Sequence, residues 1–163
     1  MAYEVFVSYS SIDLATASAL RAWIERAGAQ AFIAEYSVAP SEALAPKIEA
    51  AIRRCDLFVL LWSGNAAKST WVPQEIGIAR GLLKPILPIV LSEGTSPPAF
   101  IGELKYLPLY PDANAAVQQF YAQLQHLVVR KQFGDSVAAI LGVGLVLAAV
   151  ASLSDQNGGG GSA

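Results

Sequence analysis

The chain contains few of the residues that build disulfides, metal cages and catalytic triads. Its 163 residues include a single cysteine, Cys55, and a single histidine, His126. One cysteine forms no intramolecular disulfide and no cysteine-based metal cage, so we expect no metal site. A Ser-His-Asp triad would have to use His126, and no nucleophile elbow accompanies it in the sequence. We therefore interpret His126 as a polar-face residue of a late helix.

Charge is also sparse. Charged residues make up 15% of the chain, the net charge is -2, and the sequence has no basic stripe or arginine cluster. Nucleic-acid binding proteins carry such clusters, so we expect no nucleic-acid partner. The length corresponds to one domain with a real core plus an appendage.

Apolar runs alternate with helical periodicity along the first 130 residues. Asp13 is predicted to cap the first helix, and Gly28 to end it in a left-handed conformation. This alternation predicts a parallel sheet covered by helices on both faces. The predicted strands are 4–9, 30–34, 56–62, 84–91 and a short edge strand 106–110, and the predicted later helices are 43–54, 71–83 and 114–130.

A polar segment follows the apolar run 57–62 and opens a helix with Trp71 and Glu75, four residues apart. A helix places both side chains on one face. Pro73 fits in the first turn, and the positive end of the helix dipole favours an ionised Glu75. Because ligands of open α/β folds bind at the carboxyl ends of strands, the sequence predicts a site here. The alternative is a core tryptophan beside a solvated glutamate.

Residues 137–153 carry no charge and are apolar on every face. As a helix they would span about 25 Å, slightly less than a bilayer core of ~30 Å. Arg130 and Lys131 precede them, so the positive-inside rule places residues 1–131 in the cytoplasm. We predict a single-pass, tail-anchored membrane protein. The alternative is a buried hydrophobic helix that docks on the domain.

The chain is thus divided into three parts, residues 1–130, 131–157 and 158–163. The first is the folded domain, and the second is a juxtamembrane segment with the predicted transmembrane helix. The third is glycine-rich and typical of an expression linker. We therefore expect the natural chain to end near Asn157.

Three motifs follow one another in the folded domain. They are Phe6-Val7-Ser8-Tyr9-Ser10-Ser11 with Asp13, Pro40-Ser41-Glu42-Ala43-Leu44 before Lys47-Ile48, and Ser69-Thr70-Trp71-Val72 with Glu75. In this order they resemble box 1, the BB loop and the third-helix signature of the TIR (Toll/interleukin-1 receptor) family, of the small prokaryotic kind. The resemblance covers about residues 3–128. It implies a flavodoxin-like sheet of five parallel strands in the order 2-1-3-4-5.

The resemblance implies one of two activities. Many TIR domains cleave NAD+ at the nicotinamide bond, giving ADP-ribose or a cyclic derivative, and others only assemble with further TIR domains. Nicotinamide leaves as a neutral ring, so one carboxylate that stabilises an oxocarbenium-like transition state can suffice. The resemblance assigns this role to Glu75 and nicotinamide contact to Trp71. It assigns ribose or phosphate contacts to Tyr9, Ser10 and Ser11. NAD+ is then a substrate, and no cofactor is expected.

The resemblance also implies activation by self-association of TIR domains. It assigns head-to-tail contacts to the BB loop, whose residues here are Pro40, Ser41, Glu42 and Leu44. The family often has Pro-Gly in this loop. Because Ser41 restricts the backbone relative to glycine, the geometry of assembly stays open. By family analogy we expect a role in prokaryotic anti-phage immunity.

Other functions remain as alternatives. A non-catalytic membrane-anchored scaffold does not need Glu75 beside Trp71, and a membrane-perturbing effector would use assembly to drive its hydrophobic helices together. A nucleoside deoxyribosyltransferase also uses a glutamate on a similar sheet. A phosphoacceptor receiver domain is disfavoured, because the first and third strands end in Ser8-Tyr9-Ser10 and Leu61-Trp62-Ser63 rather than in acidic residues.

Overall fold

The computed structural model describes residues 1–34 and 44–156, with side chains described up to residue 134. The strands are β1 (Tyr3–Ser8), β2 (Ala29–Ile33), β3 (Leu57–Trp62), β4 (Ile86–Val90) and β5 (Leu107–Pro108). The helices are α1 (Leu14–Arg26), α2 (Leu44–Arg54), α3 (Val72–Gly81) and α4 (Ala113–Gln156). Short 3-10 turns cover Ser11–Asp13, Ala66–Lys68 and Ala99–Ile101.

The five strands form one parallel sheet in the order β2-β1-β3-β4-β5. The predicted five-stranded parallel sheet and its strand order are therefore confirmed. All six residues of β3 are buried, as expected for a central strand covered on both faces. In the register of β1 with β3, Val7 lies beside Val59 and Ser8 beside Leu60.

The pleat of the sheet divides the core into two clusters. Val5, Val7 and Val59 share one cluster with residues of α1 and α4. Phe6 and Phe58 share the other with residues of α2 and α3. Residues two apart in a strand face the same side of the sheet. Ser8 therefore faces the same side as Phe6, the side covered by α2 and α3.

Two turns show how the helices end. Gly28 has a φ of +87° after α1, which confirms the predicted left-handed end. α3 was expected to reach residue 83 but ends at Gly81, because Leu83 takes a left-handed φ of 54°. The amide of Lys84 then donates to the Ala79 carbonyl at 2.9 Å and closes the helix end.

The predicted role of Asp13 as a cap is wrong. Asp13 precedes α1, but in the described part of the chain its side chain makes no capping hydrogen bond. The Asp13 carboxylate instead accepts hydrogen bonds from residues that follow β3. A carboxylate can accept hydrogen bonds from the N–H groups at the start of a helix or from donors in a distant loop. The spacing of residues in the sequence indicates only the first kind of contact.

The chain forms two compact units, Ala2–Val128 and a unit that begins at Val129 and includes Met1. The helix predicted to end near residue 130 continues as α4 to Gln156. Among the described residues, no helix meets the length and apolarity needed for a membrane crossing. The side chains of the predicted span 137–153 lie outside the described residues.

Candidate functional site

The site is centred on the carboxylate of Glu75, in the first turn of α3. Glu75 is only 2% exposed, and Ser8, at the end of β1, is fully buried. The Ser8 hydroxyl donates a hydrogen bond to Glu75 Oε2 over 2.6 Å. This bond joins the carboxyl end of a central strand to the start of a helix. Burying a charged carboxylate costs free energy unless polar partners hydrogen-bond to it. The Ser8 hydroxyl is such a partner for Glu75.

The start of α3 is built by local hydrogen bonds. Ser69 Oγ accepts the backbone N–H groups of Trp71 and Val72, at 3.2 and 3.4 Å, and so satisfies two donors of the first turn. The Glu75 amide donates to the Trp71 carbonyl at 3.0 Å, which sets the two residues one turn apart. Trp71 is half-buried at this position. The helix therefore brings Trp71 and Glu75 together as the four-residue spacing predicts.

The three residues that follow β1 have separate surroundings. Tyr9 is buried, and its hydroxyl donates to the Ala34 carbonyl, just after β2, over 2.6 Å. Ser10 is buried, and its carbonyl accepts the amide of Asp13 at 2.7 Å. Ser11 is exposed at the start of a 3-10 turn. Their contacts to a ligand stay predictions.

A second serine–carboxylate pair lies at the same edge of the sheet. Ser63 Oγ donates to Asp13 Oδ2 over 2.5 Å, and Asn65 Nδ2 donates to Asp13 Oδ1 over 3.1 Å. Ser63 Oγ in turn accepts the backbone amides of Asn65 and Ala66. The network fastens the loop after β3 to the start of α1. The position of Ser63, a polar residue directly after the buried apolar run 57–62, was the feature of the sequence that could have predicted its place in this network.

The loop predicted to mediate assembly is only partly described. Pro40, Ser41 and Glu42 lie outside the described residues. Leu44 begins α2, is half-buried and packs against the core cluster that contains Phe6. Its position at the start of this helix agrees with the predicted boundary to within one residue.

The described residues contain no group of three or more His, Cys, Asp and Glu side chains placed to hold a metal ion. The chemistry available here consists of one buried carboxylate, a half-buried indole ring and several hydroxyls. Such a set can stabilise positive charge that develops in a bound substrate. It resembles in composition the sites that cleave glycosidic bonds through a carboxylate.

Comparisons with known proteins identify the family of the chain. The family model described as TIR domain matches residues 5–125. The chain is 30% identical over 167 residues to the NAD(+) hydrolase ApTIR of Actinoplanes sp.. That alignment includes 86% of this chain and 23% of the relative, so the chain spans less than a quarter of the relative's length.

Two solved structures are similar in fold. The TIR domain of the Toll-related receptor TRR-2 from Hydra magnipapillata has a TM-score of 0.57 and 24% identity. The match covers 82% of this chain and 97% of that one. The RPS4 and RRS1 TIR domain heterodimer has a TM-score of 0.61 and 11% identity, with 79% and 99% covered.

Proposed function

This chain belongs to the TIR domain family, and on that premise we propose that it is an NAD+ glycohydrolase or cyclase. It would release nicotinamide together with ADP-ribose or a cyclic derivative of ADP-ribose. The curated relative is an NAD(+) hydrolase, which supports the proposal. The observation that carries it is the buried Glu75 carboxylate beside Trp71, at the edge where α/β folds bind ligands.

The chemistry requires one well-placed carboxylate. Nicotinamide is a cationic ring in NAD+ and leaves as a neutral one, so its departure needs no general acid. As the bond between the ribose and nicotinamide breaks, positive charge develops on the ribose, and the Glu75 carboxylate would stabilise that charge and bind the ribose hydroxyls. Water would then bond to the anomeric carbon and lose a proton to give ADP-ribose, or a nucleophilic group of the same ADP-ribose unit would bond there to give the cyclic derivative. A carboxylate that is shielded from water interacts more strongly with such a charge.

The neighbouring residues would bind the rest of the substrate. The Trp71 ring would face the cationic nicotinamide or shape its pocket. Ser10 and Ser11 would meet the ribose or phosphates through hydroxyls and backbone donors. Tyr9 would meet the substrate there as well, because its hydroxyl donates to the Ala34 carbonyl and can still accept a hydrogen bond.

We propose that self-association through the loop of Pro40, Ser41, Glu42 and Leu44 activates the enzyme. The structurally similar RPS4 and RRS1 domains form a TIR domain heterodimer, which gives a precedent for pairing in this fold. Anchoring by residues 137–153, with the TIR domain in the cytoplasm, would raise the local concentration of the domains and favour that pairing. Anti-phage defence is proposed by family analogy alone.

The anchoring proposal has a simple test. The full-length chain should partition into the membrane fraction, and a chain without residues 134–157 should not. The shortened chain should also need a higher concentration for activity. Recovery of the full-length chain in the soluble fraction would contradict anchoring.

The catalytic proposal is tested by Glu75→Gln in the full chain, assayed for nicotinamide release from NAD+ at high protein concentration in liposomes. Glutamine keeps the size of the side chain and an oxygen that can accept the Ser8 hydroxyl. We expect loss of at least about 100-fold in rate, because the charge that stabilises the transition state is removed. Glu49→Gln is the matched control, since Glu49 is exposed on α2 and pairs with Arg53.

The same assay separates the alternative functions. Nicotinamide release by the wild-type chain and Glu49→Gln, but not by Glu75→Gln, supports the enzyme. Absence of release in all three, while assemblies are visible by electron microscopy, favours the scaffold. Base release from deoxynucleosides instead of NAD+ would indicate a deoxyribosyltransferase.

A further inference from the structure

We propose that Ser8 is a positioning residue for the reaction, because it sets the orientation of the Glu75 carboxylate. This inference rests on the proposed function. Neither the motif spacing nor the family comparison assigns Ser8 a role, and the residues after it were the ones predicted to meet the substrate. This role of Ser8 follows from where β1 ends and from the direction of its last side chain.

Ser8 belongs to a central strand and not to the loop that follows it. It is the last residue of β1, a strand paired with both β2 and β3, and it lies beside Leu60 in the register. Its side chain is fully buried. Since β1 lies inside the sheet, strand pairing and the surrounding core determine the position of the Ser8 hydroxyl.

The hydrogen bond has the geometry of a strong one. An ionised carboxylate can only accept, so the Ser8 hydroxyl is the donor to Glu75 Oε2. The 2.6 Å separation lies within the range of charge-assisted O–H···O bonds. The hydroxyl hydrogen therefore points at the carboxylate.

The hydrogen bond from Ser8 fixes the terminal side-chain torsion of Glu75, which the helix does not determine. The first turn of α3 sets the position of the Glu75 backbone, but the terminal torsion of a glutamate is broad. A donor fixed to one oxygen sets the rotation of the carboxylate plane, and with it the direction of the other oxygen. Efficient reaction requires this alignment, since a misplacement of about 1 Å can lower a rate about 100-fold.

Ser63 offers a matched comparison within the same molecule. It too is a buried serine, it directly follows the central strand β3, and it too donates to a carboxylate, that of Asp13. The Asp13 carboxylate fastens two loops and is not assigned to the substrate. If the Ser8 bond served only to satisfy a buried charge, Ser8→Ala and Ser63→Ala would have the same consequences.

The test compares Ser8→Ala, Ser8→Cys and Ser8→Thr with Ser63→Ala in full-length protein, by steady-state nicotinamide release and by thermal unfolding. Ser8→Ala and Ser8→Cys should lower kcat about 10- to 100-fold, with KM changed less than about twofold. Cysteine preserves the packing and donates only weakly, so its effect isolates the hydrogen bond from the cavity. Ser8→Thr restores the hydroxyl and should recover kcat to within about threefold of wild type. Ser63→Ala should lower the unfolding temperature and leave kcat near the wild-type value.

The outcomes separate this inference from the function on which it rests. If wild-type protein releases nicotinamide and Glu75→Gln does not, while Ser8→Ala retains kcat, the positioning role is refuted and the enzyme stands. Equal losses of kcat in Ser8→Ala and Ser63→Ala would also refute it, as would a rise in KM alone. If the wild-type protein releases no nicotinamide, the proposed function fails and the inference fails with it.

Discussion

Replacing Asp13 with serine distinguishes two roles of its carboxylate. The carboxylate could cap the start of α1, or it could connect α1 to the loop after β3. Serine and aspartate are about equally good at the residue before a helix, so a capping role predicts almost no change in stability. In the structure the carboxylate instead accepts from Ser63 Oγ at 2.5 Å and from Asn65 Nδ2 at 3.1 Å. The shorter serine side chain cannot reach both donors. We therefore expect Asp13→Ser to destabilise the fold.

The size of the effect follows from the two contacts. A hydrogen bond to a charged group contributes roughly 1.5–3 kcal/mol to stability, and a buried donor left without its acceptor adds a penalty. Ser63 is 6% exposed, so its hydroxyl loses a partner where water has little access. Asp13 is half-buried, which reduces the gain from the second contact. Together we expect a loss of about 2–3 kcal/mol.

The assay is urea unfolding of wild type, Asp13→Ser, Ser63→Ala and the double variant, followed by far-ultraviolet circular dichroism. The Asp13→Ser midpoint should fall, and the melting temperature should drop by roughly 10 °C. Because the two residues share a contact, the double variant should lose less than the sum of the single losses, by about 1 kcal/mol or more.

If Asp13→Ser kept the stability of the wild type, the two hydrogen bonds of the Asp13 carboxylate would not stabilise the fold, and the capping role would be favoured again. Additive losses in the double variant would show that the hydrogen bond between Ser63 and Asp13 contributes little. In either case the loop after β3 would have to be held by its backbone hydrogen bonds.

Two further predictions concern stability away from the site. Leu83→Gly should raise the unfolding free energy by about 1 kcal/mol, because Leu83 has a φ of 54° and is 91% exposed, so glycine relieves strain without losing packing. Leu83→Ala keeps the Cβ atom and should not stabilise, and equal effects of the two in chemical denaturation would contradict the strain. Burial raises the pKa of the Cys55 thiol from 9.0 to about 11. Between pH 9 and 11 the thiol therefore keeps its proton in the folded state and loses it in the unfolded state. The contribution of Cys55 to the free energy of unfolding is complete below pH 9, and up to about 2–3 kcal/mol is lost as the pH rises towards 11. Unfolding curves of Cys55→Ala should lack this loss, and an unchanged pH dependence in that variant would disprove the assignment.

Local patterns predicted most of the elements and their ends. The apolar run 57–62 corresponds to a strand that is buried throughout, and Gly28 supplies the positive φ that ends α1. These features depend on residues that are neighbours in the chain, where side-chain period and backbone preference act directly. The boundary of α3 was less accurate because a leucine occupies a conformation that usually calls for glycine.

The resemblance of the motifs was needed for the order of the strands. Alternating strands and helices predict a parallel sheet, but several strand orders are compatible with that alternation. The three motifs supplied the order 2-1-3-4-5, which the structure confirms. The same motifs predicted a site at Glu75 and Trp71, and the start of α3 places these two residues one turn apart.

The strands and helices, the class of sheet and the helix that carries Glu75 could therefore be predicted from the amino-acid sequence alone. The partners of the polar side chains could be identified only in the folded chain, since Ser8 and Glu75 are 67 residues apart and Ser63 and Asp13 are 50 apart. The reason is physical. Periodicity and backbone preference act over a few residues, whereas a hydrogen bond between distant side chains exists only after the sheet register and the pleat have placed them within reach.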